Sequence, residues 1–326
     1  MNLAIAGLRH GHIMALYKQA KETEGISVIG AWEQDVSARE AAEKTVTEPF
    51  YESLEALLAD PAVDAVAVGD YYGARGQIII RALKAGKHVI ADKPLCTSLE
   101  ELECIRALSA EKKLRVACML DLRYDAAICT AREIIRSGRL GAIHAAAFTG
   151  QHPLNWGVRP MWYFEEGKHG GTINDLAIHG IDAIRYMTGL ELVRPVAART
   201  WNAFAKEAPD FRDCAQLMAE FEGGMGVMAD VSYAVVSRDP GALPMYWRFT
   251  LWGEMGTIEL RLGERELLFA GPGMAEMEKI PCRPVEENWL TDFMKTYDQA
   301  AVEDVLTSQR ATLTLQRAAD EEQKGK

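Results

Sequence analysis

Along the first third of the chain, short apolar runs alternate with stretches in which apolar residues return every three or four positions. Residues 3–6 form the first run and end at Gly7; others follow at 26–32, 63–68, 88–91 and 116–120. Runs this short, bounded by glycine or polar residues, read as buried strands. Between them the period is helical, from about His12 onward and again over 53–59, 77–85 and 99–112. Ser98, with Glu101 three positions on, makes a capping-box pattern, and Gly86 stands where a helix-ending glycine belongs. Strands and helices alternating at this spacing predict a parallel sheet with helices on both faces.

After about residue 122 the rhythm changes. Helical segments at about 125–137 and 171–188 flank a strand at 144–149. Strand-like runs then follow at 196–203, 214–221, 227–234, 247–252, 257–262 and 266–269. Gly223-Gly224 and the stretch from Gly253 to Gly256 read as hairpin turns. This predicts a large, mostly antiparallel sheet with one face on helices and the other open. Helical patterns return at about 287–301 and 307–319. The expected class is α/β. A Rossmann dinucleotide-binding domain covers 1–122, and an α+β domain for substrate binding and oligomerisation covers 123–326, its last helices packing back on the first.

Composition narrows the function. The chain has 326 residues, 48% of them hydrophobic, enough for two cores. Its formal net charge of −11 argues against nucleic acid or an anionic membrane as partner, since both need basic surface. Six cysteines form no C-x-x-C pair, and neither a basic leader nor a membrane-length apolar stretch is found. Free thiols and a cytoplasmic location are the expectation. The polar end "DEEQKGK" is expected to fray.

Chemistry concentrates at the ends of the predicted parallel strands, where open sheets bind ligands. The first turn reads "GLRHGH". Gly7 fills the first position of a dinucleotide fingerprint, Arg9 and His12 stand at the second and third, and Gly11 is off by one. His10 completes the turn, and Arg9 is placed to offer its guanidinium to phosphate. Glu33 ends the second strand, about 26 residues after Gly7. A carboxylate there accepts from ribose hydroxyls and repels a 2′-phosphate, favouring NAD over NADP; otherwise Glu33 or Asp35 caps the next helix. Asp70 opens "DYYGAR" after the third strand. The fourth runs into "ADKPL", which sets Lys93 at its carboxyl end, with Pro94 keeping it out of helical backbone.

In "GGTINDLAIHGID", Asp175, His179 and Asp182 lie within roughly 60° of one another on a regular helix. The stripe is either a solvated polar face or the wall of a site, and the helix alone leaves both open. D-x-x-x-H, with His169 as a third ligand, also has metal-site character, but no further ligand cluster accompanies it and no metal is expected.

These segments resemble the Gfo/Idh/MocA oxidoreductases, the family of glucose–fructose oxidoreductase and inositol dehydrogenase, over nearly the whole chain. "YESLEALLADPAVDAVAVG" with "ALKAGKHVIADKPL" is similar to its E-K-P segment, with Asp92 in place of Glu. "GGTINDLAIHGIDAIRYMTG" matches its glycine pair and D-x-x-x-H-x-x-D helix, and "LWGEMGTIEL" is similar to its second-domain sheet. The resemblance implies a nicotinamide cofactor, sugar, cyclitol or related polyol substrates, and a homodimer or homotetramer formed through the second sheet. It carries catalytic roles onto Lys93, Asp175 and His179. Two departures stand out: the second and third glycines of the turn are lost, and the family's histidine after the third strand falls on Arg75.

Oxidising a carbinol removes a hydride from carbon and a proton from oxygen. Histidine suits the base role near neutrality, so His179 takes it; Lys93 stabilises the developing alkoxide, and Asp175 orients its neighbours. Lysine as proton acceptor is the alternative. Tyr71, Tyr72, Arg123, Tyr124, Trp156 and Trp162 are candidate pocket residues: aromatic rings pack on a sugar's apolar face while Arg and tyrosine hydroxyls bind its oxygens. Two other functions fit the same residues: hydrolysis or elimination through transient oxidation by retained NAD, and a sensor that binds ligand without turnover.

Overall fold

The five short runs of the first third form one wholly parallel sheet. The computed structural model describes residues 1–235 and 246–324. Its strands β1 (Asn2–Ala6), β2 (Ser27–Trp32), β3 (Ala65–Val68), β4 (His88–Ala91) and β5 (Val116–Cys118) lie in the order β2-β1-β3-β4-β5. Every residue of β3 is buried, as a strand covered on both faces requires. Helices α1 (Ile13–Glu22), α2 (Val36–Ala42), α3 (Leu54–Ala59), α4 (Tyr72–Lys84) and α5 (Leu99–Lys112) connect them. Ser98 accepts the Glu101 amide at 3.1 Å and Asp35 caps α2 through the Ala38 amide at 2.8 Å.

Two compact units divide the chain. The first comprises 1–119 with two returning segments, 160–170 and 288–310; the second comprises 120–159, 171–287 and 311–326. The helix expected over 287–301 is instead interrupted. Helix α8 (Trp289–Met294) ends where Lys295 turns extended, and Asp298 then caps a new helix by accepting the Ala300 amide at 2.9 Å. That helix runs unbroken from Gln299 to Lys324 and takes in the second expected one.

The second unit holds an eight-stranded sheet. Its strands are β6 (Ile143–Pro153), β7 (Leu192–Trp201), β8 (Cys214–Phe221), β9 (Met225–Val235), β10 (Trp247–Gly253), β11 (Gly256–Arg261), β12 (Glu266–Ala270) and β13 (Glu278–Pro281). They lie in the order β13-β12-β11-β10-β6-β9-β8-β7, antiparallel except for β6 with β9. Strand β13 was not expected: "EKIP" has one apolar residue buried halfway, the composition of a blunted edge. Helix α6 (Ala126–Arg136) and the helix after residue 171 cover one face through their apolar sides.

The C-terminal tail does not fray as expected. Residues 320–324 stay helical because Gln323 donates to the Thr200 carbonyl of β7 at 2.7 Å and Ala319 is buried; Gly325 and Lys326 lie outside the described residues. All six cysteines are free thiols. Among the described residues no helix is long and apolar enough to cross a membrane.

Candidate functional site

In the first unit the turn after β1 is built on a carboxylate. Gly7 has φ +82°, and a Cβ there would fall 2.5 Å from that of Asp70, so only glycine lets β1 and β3 end this close. Glu33 lies beneath the turn with its side chain fully enclosed. One of its oxygens accepts the Leu8 amide at 2.5 Å and the other the Asp35 amide at 2.8 Å. Burial lifts its carboxyl above the ordinary value, although both amides pull it down. Glu33 therefore fastens the turn from inside.

Arg9 crosses to the third strand's loop. Its Nε lies 2.6 Å from one Asp70 oxygen, its terminal nitrogen donates to the other at 2.9 Å, and Nε is 3.5 Å from Glu33. The guanidinium also sits 4.4 Å over the Tyr71 ring. Burial works against its charge, but Asp70 more than compensates and its pKa rises. The cation assigned to phosphate is thus held by two carboxylates.

His10 points inward. Nδ1 meets Asp92, and Nε2 meets the Tyr163 hydroxyl at 2.8 Å and that of Tyr72 at 3.2 Å. Burial pushes its pKa down to about 4, against the pull of Asp92. Trp162, placed by sequence among the pocket residues of the second domain, belongs to this unit. It is buried, stacked on Tyr163, and donates to the Arg9 carbonyl at 3.3 Å.

Arg75, where the family's histidine falls, is fully buried and donates from all three nitrogens. Nε reaches the Asp70 carbonyl at 2.7 Å. One terminal nitrogen reaches the carbonyls of Asp92, Lys93 and Pro94 at 2.9, 2.6 and 3.1 Å, and the other reaches the Asp92 carboxylate at 2.8 Å. Burial opposes the charge of Asp92, yet Arg75, then His10 and His12, hold it well below the usual carboxylate range. The Lys93–Pro94 peptide is cis, and the Leu95 amide donates to Gln309 at 2.8 Å. Lys93 is itself buried at the end of this clamped turn.

A dinucleotide fits this turn in part. The amides of Gly11 and His12, at the start of α1, donate to no acceptor among the described residues, and nothing stands within 4 Å of where a Gly11 Cβ would be. A helix N-terminus with free amides and open space is suited to a diphosphate. Arg9 and Glu33, in contrast, are already engaged with the protein.

In the second unit the expected regular helix from 171 begins with a turn of π-helix over Ile173–Ala177, then continues as α7 (Ile178–Thr188). Gln316 caps this start: its carbonyl oxygen accepts the amides of Ile173 and Asn174 at 3.0 and 3.3 Å. Gly171, at φ +96°, makes room, since a Cβ there would fall 2.2 Å from the Gln316 side chain.

The polar stripe is not solvated. Asp175, His179 and Asp182 are 1, 6 and 0% exposed. Buried carboxylates need partners. Asp175 accepts from the Tyr233 hydroxyl, and Asp182 takes Arg123 in a two-pronged pair at 2.7 and 2.5 Å. Arg123, a candidate for substrate, is thus committed to α7. His179 meets the Trp247 ring edge-on at 5.8 Å. Burial, aided by Asp121 and Asp175, raises Tyr246 to about 12. Tyr233 and Tyr246 escaped the sequence reading because they come from strand ends with no motif around them. Trp156 is 38% exposed and Tyr124 half-buried. Lys93 belongs to the first unit, and Asp175 and His179 to the second.

A parallel sheet of the dinucleotide-binding type followed by an open mixed sheet, with a clamped D-K-P turn on one and a buried Asp-His pair on the other, defines a two-unit α/β class with a Rossmann-like first unit. Comparison with known proteins gives the family. Residues 1–120 match the oxidoreductase family model with an NAD-binding Rossmann fold, and residues 128–259 match the GFO/IDH/MocA C-terminal domain. The chain belongs to the Gfo/Idh/MocA family. It is 31% identical over 156 residues to the myo-inositol 2-dehydrogenase of Thermotoga maritima, covering 47% of this chain and 45% of that protein. It is 33% identical over 158 residues to the NAD+-dependent scyllo-inositol 2-dehydrogenase of Bacillus subtilis, covering 48% and 43%. The chain thus spans about half the length of the curated relatives it matches. The solved aldose-aldose oxidoreductase of Caulobacter crescentus shares the fold, with a TM-score of 0.77 at 20% identity over 99% of this chain and 98% of that one.

Proposed function

We propose that the protein transfers a hydride between a nicotinamide dinucleotide and a carbinol of a sugar, cyclitol or related polyol. The observation that carries this reading is the pair of buried, braced motifs: D-K-P held by Arg75, and D-x-x-x-H-x-x-D held by Gln316, Tyr233 and Arg123. A lysine, a histidine and three carboxylates are buried here, a costly arrangement that is met most often at functional sites. The inositol dehydrogenases among its relatives support a polyol substrate.

Gly7, His10, Gly11 and His12 form the turn under the dinucleotide diphosphate, with Asp70, Lys93 and Pro94 beside it. The bound nicotinamide supplies the hydride acceptor. Lys93 offsets the charge of the developing alkoxide, His179 takes the hydroxyl proton, and Asp175, oriented by Tyr233, sets the direction of its neighbours. Tyr124 and Trp156 are left as sugar contacts, since Arg123 and Trp162 are occupied within their units. NAD is preferred to NADP, because the carboxylates of Glu33 and Asp35 at the end of β2 oppose a 2′-phosphate even though Glu33 is turned inward.

The test is production of NADH from NAD with a panel of polyols and glycosides, followed by single substitutions. Lys93→Met and His179→Ala should each lower kcat by about 10²–10⁴ with the fold intact. Near-normal turnover in both removes the catalytic assignment. Product without stoichiometric NADH indicates redox-neutral hydrolysis or elimination, and tight ligand binding without product indicates a sensor. Direct titration in which NADP binds more tightly than NAD defeats the cofactor preference.

A further inference from the structure

The geometry points to a site for a divalent transition-metal ion of the zinc class on His10, His12 and Asp92, in the first unit. One ligand atom from each of the three lies within 4.8 Å of the other two. His12 Nδ1 and Asp92 Oδ1 are already 3.4 Å apart. That is close to the ~3.3 Å edge of a tetrahedral site with metal–ligand distances of ~2.0–2.1 Å.

The second observation is the state of Asp92. Its side chain is fully buried, and its two oxygens differ. Oδ2 serves Arg75 and His10, whereas Oδ1 accepts no hydrogen bond among the described residues and faces His12. A buried carboxylate oxygen left without a donor loses its hydration for nothing, and a cation restores the balance. Arg75 stays on Oδ2, leaving Oδ1 for the ion.

His10 needs only a change of tautomer. With its proton on Nε2 it donates to the tyrosine hydroxyl pair, Tyr163 and Tyr72, which are bonded to each other at 2.7 Å. Nδ1 then gives up its hydrogen bond to Asp92 Oδ2, which Arg75 still holds, and turns its lone pair to the ion. A ligating imidazole whose other nitrogen is held by a fixed partner is the usual arrangement at protein metal sites. Two imidazoles and one carboxylate suit zinc and its neighbours better than magnesium or calcium, which prefer all-oxygen shells. His12, with 54% of its side chain exposed, gives the ion a way in, and the open space beside Gly11 leaves room for water to complete the coordination. His10 and His12 also line the turn proposed for the dinucleotide diphosphate, so the ion is measured in the nucleotide-free protein, where its three protein ligands suffice to hold it.

The experiment uses the full chain, stripped with EDTA and free of nucleotide, titrated with zinc chloride in a calorimeter and with cobalt(II) followed by visible absorption. A single equivalent should bind in the micromolar range or tighter, with cobalt bands of four- or five-coordinate character. His12→Ala, exposed and tolerated by the fold, should weaken binding at least about tenfold, and Tyr163→Phe should weaken it by about 10–100-fold. Far-UV circular dichroism should match the parent in both. Absence of zinc binding at about 100 µM, well above the micromolar range expected, overturns the proposal. So does unchanged affinity in His12→Ala.

Discussion

Arg75 donates from both terminal nitrogens to the D-K-P turn and from Nε to the Asp70 carbonyl, tying the ends of the third and fourth strands together. The sequence shows it only as a departure from the family's histidine. Its meaning lies in the contact it makes: the guanidinium reaches the buried Asp92 carboxylate at 2.8 Å. Arg9 repeats the logic. Its place in the glycine-poor turn suggests a phosphate contact, but the guanidinium goes to Asp70 and Glu33, because two nearly enclosed carboxylates need a cation. The first consequence of removing it is therefore on stability. Arg9→Ala leaves both carboxylates without their cation and should cost about 2–3 kcal/mol, somewhat under the value for a fully buried pair because the Arg9 side chain is 18% exposed. Urea denaturation of the apoprotein measures this. A loss below about 0.5 kcal/mol, typical of an exposed ion pair, would refute the bracing role.

At the scale of elements, the parallel strands and their helices were legible because each run is bounded by its own turn chemistry, as with Ser98 and Asp35 at helix starts. What escaped came from partners far along the chain. The start of the helix at 173–177 is capped by Gln316, and the tail helix is tied to Thr200, neither of which local periodicity can reveal. The same dependence appears between β4 and β5, where His88 Nδ1 accepts the Arg115 amide at 2.9 Å. Burial first, then Arg115, lowers the pKa of His88, so the native state holds it neutral. Between that lowered value and the ordinary one near 6.5, the unfolded chain binds more protons than the native protein. Stability from this residue is complete above about pH 6.5 and is lost as pH falls below it. Urea midpoints of the parent and His88→Gln should therefore converge as pH drops from 7.5 to 5; parallel curves would show that His88 carries no such coupling.

For the molecule as a whole, the second sheet has a covered and an uncovered face, and the alternation along β8 tells them apart. Ala215, Leu217, Ala219 and Phe221 are buried, whereas Gln216 and Met218 are exposed. Register carries the uncovered row across four strands: Ala197 pairs with Met218, Met218 with Met228, and Met228 with Ala147. Met218, Met228 and Val196 are 47, 52 and 52% exposed. A cleft of about 800 Å³ runs over this row, edged by Arg199, Asp230 and Glu322. The open face was legible from strand alternation, but which residues share a row was not, since register is set by pairing between distant strands. Large apolar patches with a polar rim rarely remain in water on a monomer. The same surface on two copies can close on itself about a twofold axis, because arginine and acidic rim residues are both present to pair across it. The expected state is a homodimer or homotetramer joined through this face. Light scattering at micromolar concentration should give a multiple of 36.1 kDa. Met218→Asp with Met228→Asp, which sets like charges opposite one another on the outer face, should shift the protein toward monomer while far-UV circular dichroism is retained. A parent protein of 36.1 kDa in solution, or an assembly indifferent to both substitutions, would place the interface elsewhere or nowhere.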